Sequence, residues 1–209
     1  YSRSRDALRI VEELRNDKEN EWAWQKAIFF MECALLFPSV YENYLDGAKH
    51  FLKKINERKS KSLAMGALAG VFLRLAERDE RWLRKKKQEL IRSGRAVFLE
   101  ALENLKSALD KEIAEKKSTD FDAAGSSEQV QSELEEEVAK ATSAALDIGR
   151  YLVLHAGSNS ITKELVAKSF ETAWRLFGAL KSAKRKQRIL VKAAELYLLL
   201  GERQNVLSF

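Results

Sequence analysis

The sequence predicts an all-α protein of about eight helices, arranged as an irregular helical bundle or a solenoid-like array, and three observations carry that prediction. One Pro and nine Gly in 209 residues leave few positions at which a helix must break. Apolar residues recur at intervals of three and four over most of the chain, and nothing alternates with period two over a useful length. The third observation is an internal echo, in which AGVFLRLAERD at 69–79 returns 125 positions later as AELYLLLGERQ at 194–204. Ala69, Leu73, Leu75, Glu77 and Arg78 match Ala194, Leu198, Leu200, Glu202 and Arg203. Upstream, Tyr41, Leu45, Ala48, Leu52 and Ile55 stand at the same offset from Val166, Phe170, Ala173, Phe177 and Leu180. A helix, a basic turn and a second helix therefore occur twice, as internal duplication would produce.

Taken in order, Ser4 caps a first helix over about Arg5 to Arg15, with Leu8, Val11 and Leu14 on one face. Asn20 caps the next, Glu21 to about Leu36, which ends at Phe37-Pro38 because the residue before a proline is pushed out of the helical region. Tyr41, Tyr44, Leu45, Ala48, Leu52 and Ile55 trace the buried stripe of a third helix. Arg58 to Lys61 reads as a basic turn, and Ser62 as the cap of a fourth helix in which Gly66 and Gly70 allow close approach of another backbone. A long fifth helix follows from about Glu80 to Lys117, with Ser93-Gly94 as the expected kink.

The small, polar segment 118–129 reads as a linker or mobile loop, which divides the chain into an N-terminal helical lobe (1–117) and a C-terminal one (130–209). Ser126 and Gln129 have capping-box spacing, and Glu133, Glu135, Glu136 and Glu137 lie in the opening turns of the sixth helix, where the helix dipole favours anions. Leu134, Val138, Ala141, Ala145, Ile148, Leu152 and His155 then form an unbroken a/d seam. Gly157 closes that helix and Ser158-Asn159-Ser160 caps the seventh. The eighth follows the basic cluster at 181–188 and stops at Gly201.

Charge narrows the function. The chain carries +6, but Arg81 to Arg95 alone carries +6, and so does Lys181 to Lys192, which leaves −6 for everything else. Arg81, Arg84, Arg92 and Arg95 recur at helical spacing, with Lys85 and Lys87 beside them. Lys181, Lys184, Arg185, Arg188 and Lys192 repeat the arrangement on another element. Two basic rows predict an acidic partner, nucleic acid with RNA favoured, or else an acidic protein surface or other subunits of a complex. Trp82, inside the first row, is placed to stack a base or to anchor the helix.

Other classes find less support. Cys33 is the only cysteine, so an intrachain disulfide and a thiolate zinc site are ruled out and an intracellular, cytoplasmic setting is expected. The longest uncharged helical stretch, about Ser62 to Leu73, is too short to span a bilayer, so no membrane association is expected. No signal-peptide or lipidation pattern is visible, and a start at Tyr1 leaves room for an upstream segment. His50 and His155 both lack further ligands at metal-site spacing, and there is no phosphate loop or nucleophile elbow. No metal, cofactor or catalytic residue is therefore assigned.

Two short resemblances stand beside this reading. Arg150-Tyr-Leu-Val-Leu-His155 resembles the Arg-four-residues-His motif of the helical HEPN ribonucleases, which would imply an RNA-cutting domain using Arg150 and His155. Tyr151 departs from the polar residue usual after that Arg, and His155 also continues the apolar seam. Leu190, Ala194, Tyr197 and Gly201, and less closely Met65, Ala69, Phe72 and Ala76, resemble part of a tetratricopeptide repeat, which implies a concave helical surface that grips partners. The expectation is a non-catalytic interaction or scaffold subunit.

Overall fold

The computed structural model describes residues 22–78, 81–119 and 127–201, and their side chains except at 81–82, 116–119 and 127–130. Among the described residues seven α-helices follow one another: α1 Ala23–Leu36, α2 Tyr41–Lys54, α3 Arg58–Glu77, α4 Arg81–Thr119, α5 Ser127–Ala156, α6 Ser160–Phe177 and α7 Ala183–Leu199. A single 3-10 turn, Pro38–Val40, joins α1 to α2, and there is no strand among the described residues. The all-α expectation is met. The helix read at Arg5 to Arg15, the caps Ser4 and Asn20, and the capping residue Ser126 lie outside the described residues.

Local chemistry explains most boundaries. Asn159 takes an extended backbone and its side chain accepts a 2.7 Å hydrogen bond from the Thr162 amide, capping α6. Gly157 and Gly201, at φ of +78° and +76°, end α5 and α7 in the left-handed region where a side chain would be strained. Two boundaries differ from the sequence reading. Arg58 to Lys61 is the first turn of α3 rather than a turn before it, because the Glu57 carbonyl already accepts the Lys61 amide at 2.9 Å. Ser62 is consequently a buried interior residue and caps nothing. The cluster beginning at Lys184 likewise belongs to α7, whose cap is Ser182.

Helix α4 runs unbroken through Ser93-Gly94. Its glycine serves close packing, since a Cβ on Gly94 would stand 3.1 Å from both the Ala69 carbonyl oxygen and a Leu73 methyl. Helix α3 is the hub: buried along almost its whole length, it packs chiefly on α4 and α5. Gly66 lets α5 approach so closely that a Cβ there would lie 2.9 Å from the Ile148 carbonyl oxygen.

The sequence echo has a counterpart in packing. Helix α1 packs extensively on α2 and less on α3, while α2 and α3 touch little. Helix α5 packs extensively on α6 and less on α7, while α6 and α7 touch still less. Helices α3 and α7 begin at residues 58 and 183, the same 125-residue offset as the echo. Both sets of three share one buried core that runs from Ala23 to Leu200. Helix α4 extends to Thr119 and α5 starts at Ser127, so both helices reach into the segment read as a linker.

Candidate nucleic-acid interface

Helix α4 carries the first basic row on the same helix as its buried residues Leu83, Leu90 and Phe98, with most of the row exposed. Arg84, Lys85, Lys87 and Arg92 are exposed. Lys85, Lys87 and Arg92 form no ion pair with a described residue. Lys86, by contrast, bonds the Glu42 carboxylate of α2, which lowers the Glu42 pKa and raises that of the lysine. Arg95 reaches Glu164 of α6 at 2.7 Å. The side chains of Arg81 and Trp82 lie outside the described residues, and with them the stacking role read for Trp82.

The second row is more heavily engaged, by carboxylates the charge count treated as background. Glu135 accepts from the backbone amides of Ser182 at 2.6 Å and Lys181 at 2.7 Å, and lies 3.1 Å from the Arg185 guanidinium. Those bonds, led by the Ser182 amide, hold the Glu135 carboxyl below its ordinary pKa. Arg185 Nε donates to Glu136 at 3.0 Å, and Lys192 Nζ donates to both oxygens of Asp147 at 2.9 and 2.7 Å. Lys186 lies over the Phe177 ring, 5.6 Å from its centroid. Lys184 and Arg188 are exposed and form no ion pair with a described residue, and neither does the side chain of Lys181. The glutamate run at 133–137 thus partly caps and neutralises the start of α7 across space.

The two rows do not merge. Helices α4 and α7 share at most marginal contact. Arg185 stands level with Glu136 near the start of α5, whereas Arg95 stands level with Glu164, one turn into the helix that follows the end of α5. At 1.5 Å per residue, α5 covers about 30 Å between Glu136 and Ala156, so the rows occupy opposite halves of the stack.

The second row does acquire partners that sequence reasoning missed. A cavity of about 200 Å³ opens between α5, α7 and the first turn of α3, where Lys59 and Lys140 join Arg185, Arg188 and Lys192. A larger cavity of about 420 Å³, sharing Lys59 and Lys140, continues between α3, α4 and α5. Lys59 sat in a visible basic run. Lys140 had no signal, since a lone lysine on a long helix reads as solvated surface.

Arg150 and His155 are not brought together. Arg150 is exposed and lies 4.0 Å from Glu195 of α7. His155 is largely buried against Gly70 of α3, with Nδ1 3.4 Å from Glu32 of α1. Five residues on a helix turn through about 140°, so the two side chains leave α5 in divergent directions. Burial lowers the His155 pKa, and Glu32 opposes that shift. Among the described residues no three His, Cys, Asp or Glu side chains gather as a metal site requires, and no helix is long and apolar enough to cross a membrane. Comparison of the chain with protein-family models, with curated proteins and with solved structures gives no match in any of the three.

Proposed function

We propose that this protein is a non-catalytic helical interaction module that binds a polyanionic partner, a single strand of RNA in first place. The reading rests on one observation: Lys85, Lys87 and Arg92 on α4, and Lys181, Lys184 and Arg188 on α7, are exposed cations whose side chains form no ion pair with a described residue. Such side chains exchange condensed counterions for phosphates, whereas cations already held by carboxylates gain less. A flexible single strand can visit rows in opposite halves of a helical stack, which a stiff duplex reaches less readily. Reversing Lys85, Lys87 and Arg92 to Glu should leave the helical circular-dichroism spectrum intact and weaken retention of an oligouridylate at low salt by about tenfold or more. Retention equal to that of the parent protein would remove the proposal.

A protein-adaptor reading has its own observation. Trp22, Phe29 and Leu36 are exposed large apolar residues spaced seven apart at and along α1, a stripe suited to another helix. Binding to a partner through that stripe would change little with salt, and a Phe29→Lys variant would lose it.

A further inference from the structure

We propose that the paired cavities between α3, α4, α5 and α7 form a binding site for a nucleotide-type phosphate ester, whether free or as one unit of an RNA strand. The inference rests on reading the second basic row as anion-binding, and it locates the phosphate within that row. In the smaller cavity, Lys59 of α3, Lys140 of α5 and Arg185, Arg188 and Lys192 of α7 line the walls, with the Ser143 hydroxyl-bearing side chain beside them. Five cations from three helices converge on a space of about 200 Å³, large enough for a phosphate group and its first linked atoms.

The carboxylates that hold some of these cations organise the site without exhausting it. Lys192 spends two donors on Asp147, and a lysine ammonium has three. Arg185 gives Nε to Glu136 and turns Nη1 toward Glu135, which leaves Nη2 for a further acceptor. Both side chains are therefore fixed in place, so little rotamer entropy is lost when an anion arrives. Lys140 is paired with Glu137 at 2.9 Å, whereas Lys59 and Arg188 form no ion pair with a described residue and complete the charge. The lining carries more positive than negative side chains, with Glu136 as its one acidic member.

The second cavity identifies the rest of the ligand. Lys59 and Lys140 are common to both spaces and stand at their junction. Beyond them, Leu105, Leu109 and Ala141 supply an apolar wall, while Glu57, Glu112 and Glu137, the last paired with Lys140, supply carboxylates beside Arg58. An apolar wall with hydrogen-bond acceptors at its rim suits a base with amino groups better than it suits inorganic phosphate alone. Its volume of about 420 Å³ accommodates a nucleoside.

The test titrates the full chain with adenosine monophosphate, with inorganic phosphate and with an oligouridylate, reading heat of binding at low salt. Adenosine monophosphate should bind saturably and more tightly than inorganic phosphate. Arg188→Glu and Lys59→Glu should each weaken it by about tenfold or more, as loss of a charge-assisted contact does. Neither side chain forms an ion pair with a described residue, so folding should survive, and circular dichroism would check that. Arg92→Glu, on the other row, should leave adenosine monophosphate binding unchanged. Nucleotide binding lost with Arg188→Glu while the oligouridylate fails to bind upholds this site and removes the RNA reading. Oligouridylate binding that responds to Arg92→Glu, with no saturable nucleotide binding or with nucleotide binding indifferent to Arg188→Glu and Lys59→Glu, overturns this site and leaves the RNA reading standing.

Discussion

Gly70 and His155 meet so closely that a Cβ added to the glycine would stand 2.6 Å from the Cβ of the histidine, with the Leu152 carbonyl oxygen only 2.9 Å away. This is the seam on which the two sets of helices join, since α3 belongs to the first set and α5 opens the second. Replacing Gly70 by Ala would gain about 1 kcal/mol of helix propensity. Forcing two backbones apart costs more, so we expect a net loss of about 2 kcal/mol in chemical denaturation. Gly178→Ala is the control: its backbone is already right-handed helical and nothing lies closer than 3.8 Å, so a gain of about 0.5 kcal/mol is expected. Equal effects at the two positions would contradict the seam.

The ion pairs should divide by burial. Lys192→Met leaves Asp147, only 19% exposed, without its cation, and should cost about 1–2 kcal/mol. Lys168→Met breaks an exposed pair with Glu171 and should stay within about 0.5 kcal/mol of the parent. Urea unfolding at neutral pH distinguishes them.

Glu135 predicts a pH dependence with a definite sign. Its folded pKa is depressed by the Ser182 and Lys181 amides and by Arg185, so its contribution is present above the ordinary carboxylate pKa and is lost as pH falls through the folded value. Glu135→Gln should therefore lower the unfolding midpoint at pH 7 and leave it little changed at strongly acidic pH. A difference that persists undiminished into acid would contradict the role assigned to the carboxylate.

His155 acts in the opposite sense. Its folded pKa lies below the unfolded value because burial disfavours the imidazolium, so stability should fall as pH drops from about 7 through the ordinary histidine range. His155→Gln should flatten that part of the profile. The same variant bears on the ribonuclease resemblance: as Arg150 and His155 diverge, any RNA cleavage by the preparation should be the same with and without the imidazole.

Cys33 reports on opening. Its thiol is buried in the core and its pKa is raised by that burial, so a disulfide reagent should modify it slowly in the native protein and at once in denaturant. Rapid native-state modification would mean that α1 detaches from the core.

Much of the helical plan was legible because it depends on local spacing. The seam from Leu134 to His155 is recorded in a 4,3 repeat, and Ile148, Leu152 and His155 do face α3. Asn159 announces its cap by type and position. Charge pairing was not legible, because it depends on which helices become neighbours. Nothing near Arg185 in sequence indicates that Glu135 and Glu136 will lie beside it, nor does Asp147 announce Lys192. The packing role of Gly94 was hidden for a related reason: a glycine that permits a bend and one that admits a neighbouring helix look alike until the neighbour is known.

The most direct measurement is the affinity of the full chain for an oligouridylate as a function of salt. If exposed cations on α4 and α7 hold phosphates, log K should fall linearly with log salt, with a slope of about −2 to −4 for the three to six phosphates they can neutralise. The slope should shrink when Lys85, Lys87 and Arg92 are reversed. Undetectable binding at low salt, or an affinity that salt leaves unchanged, would contradict the account.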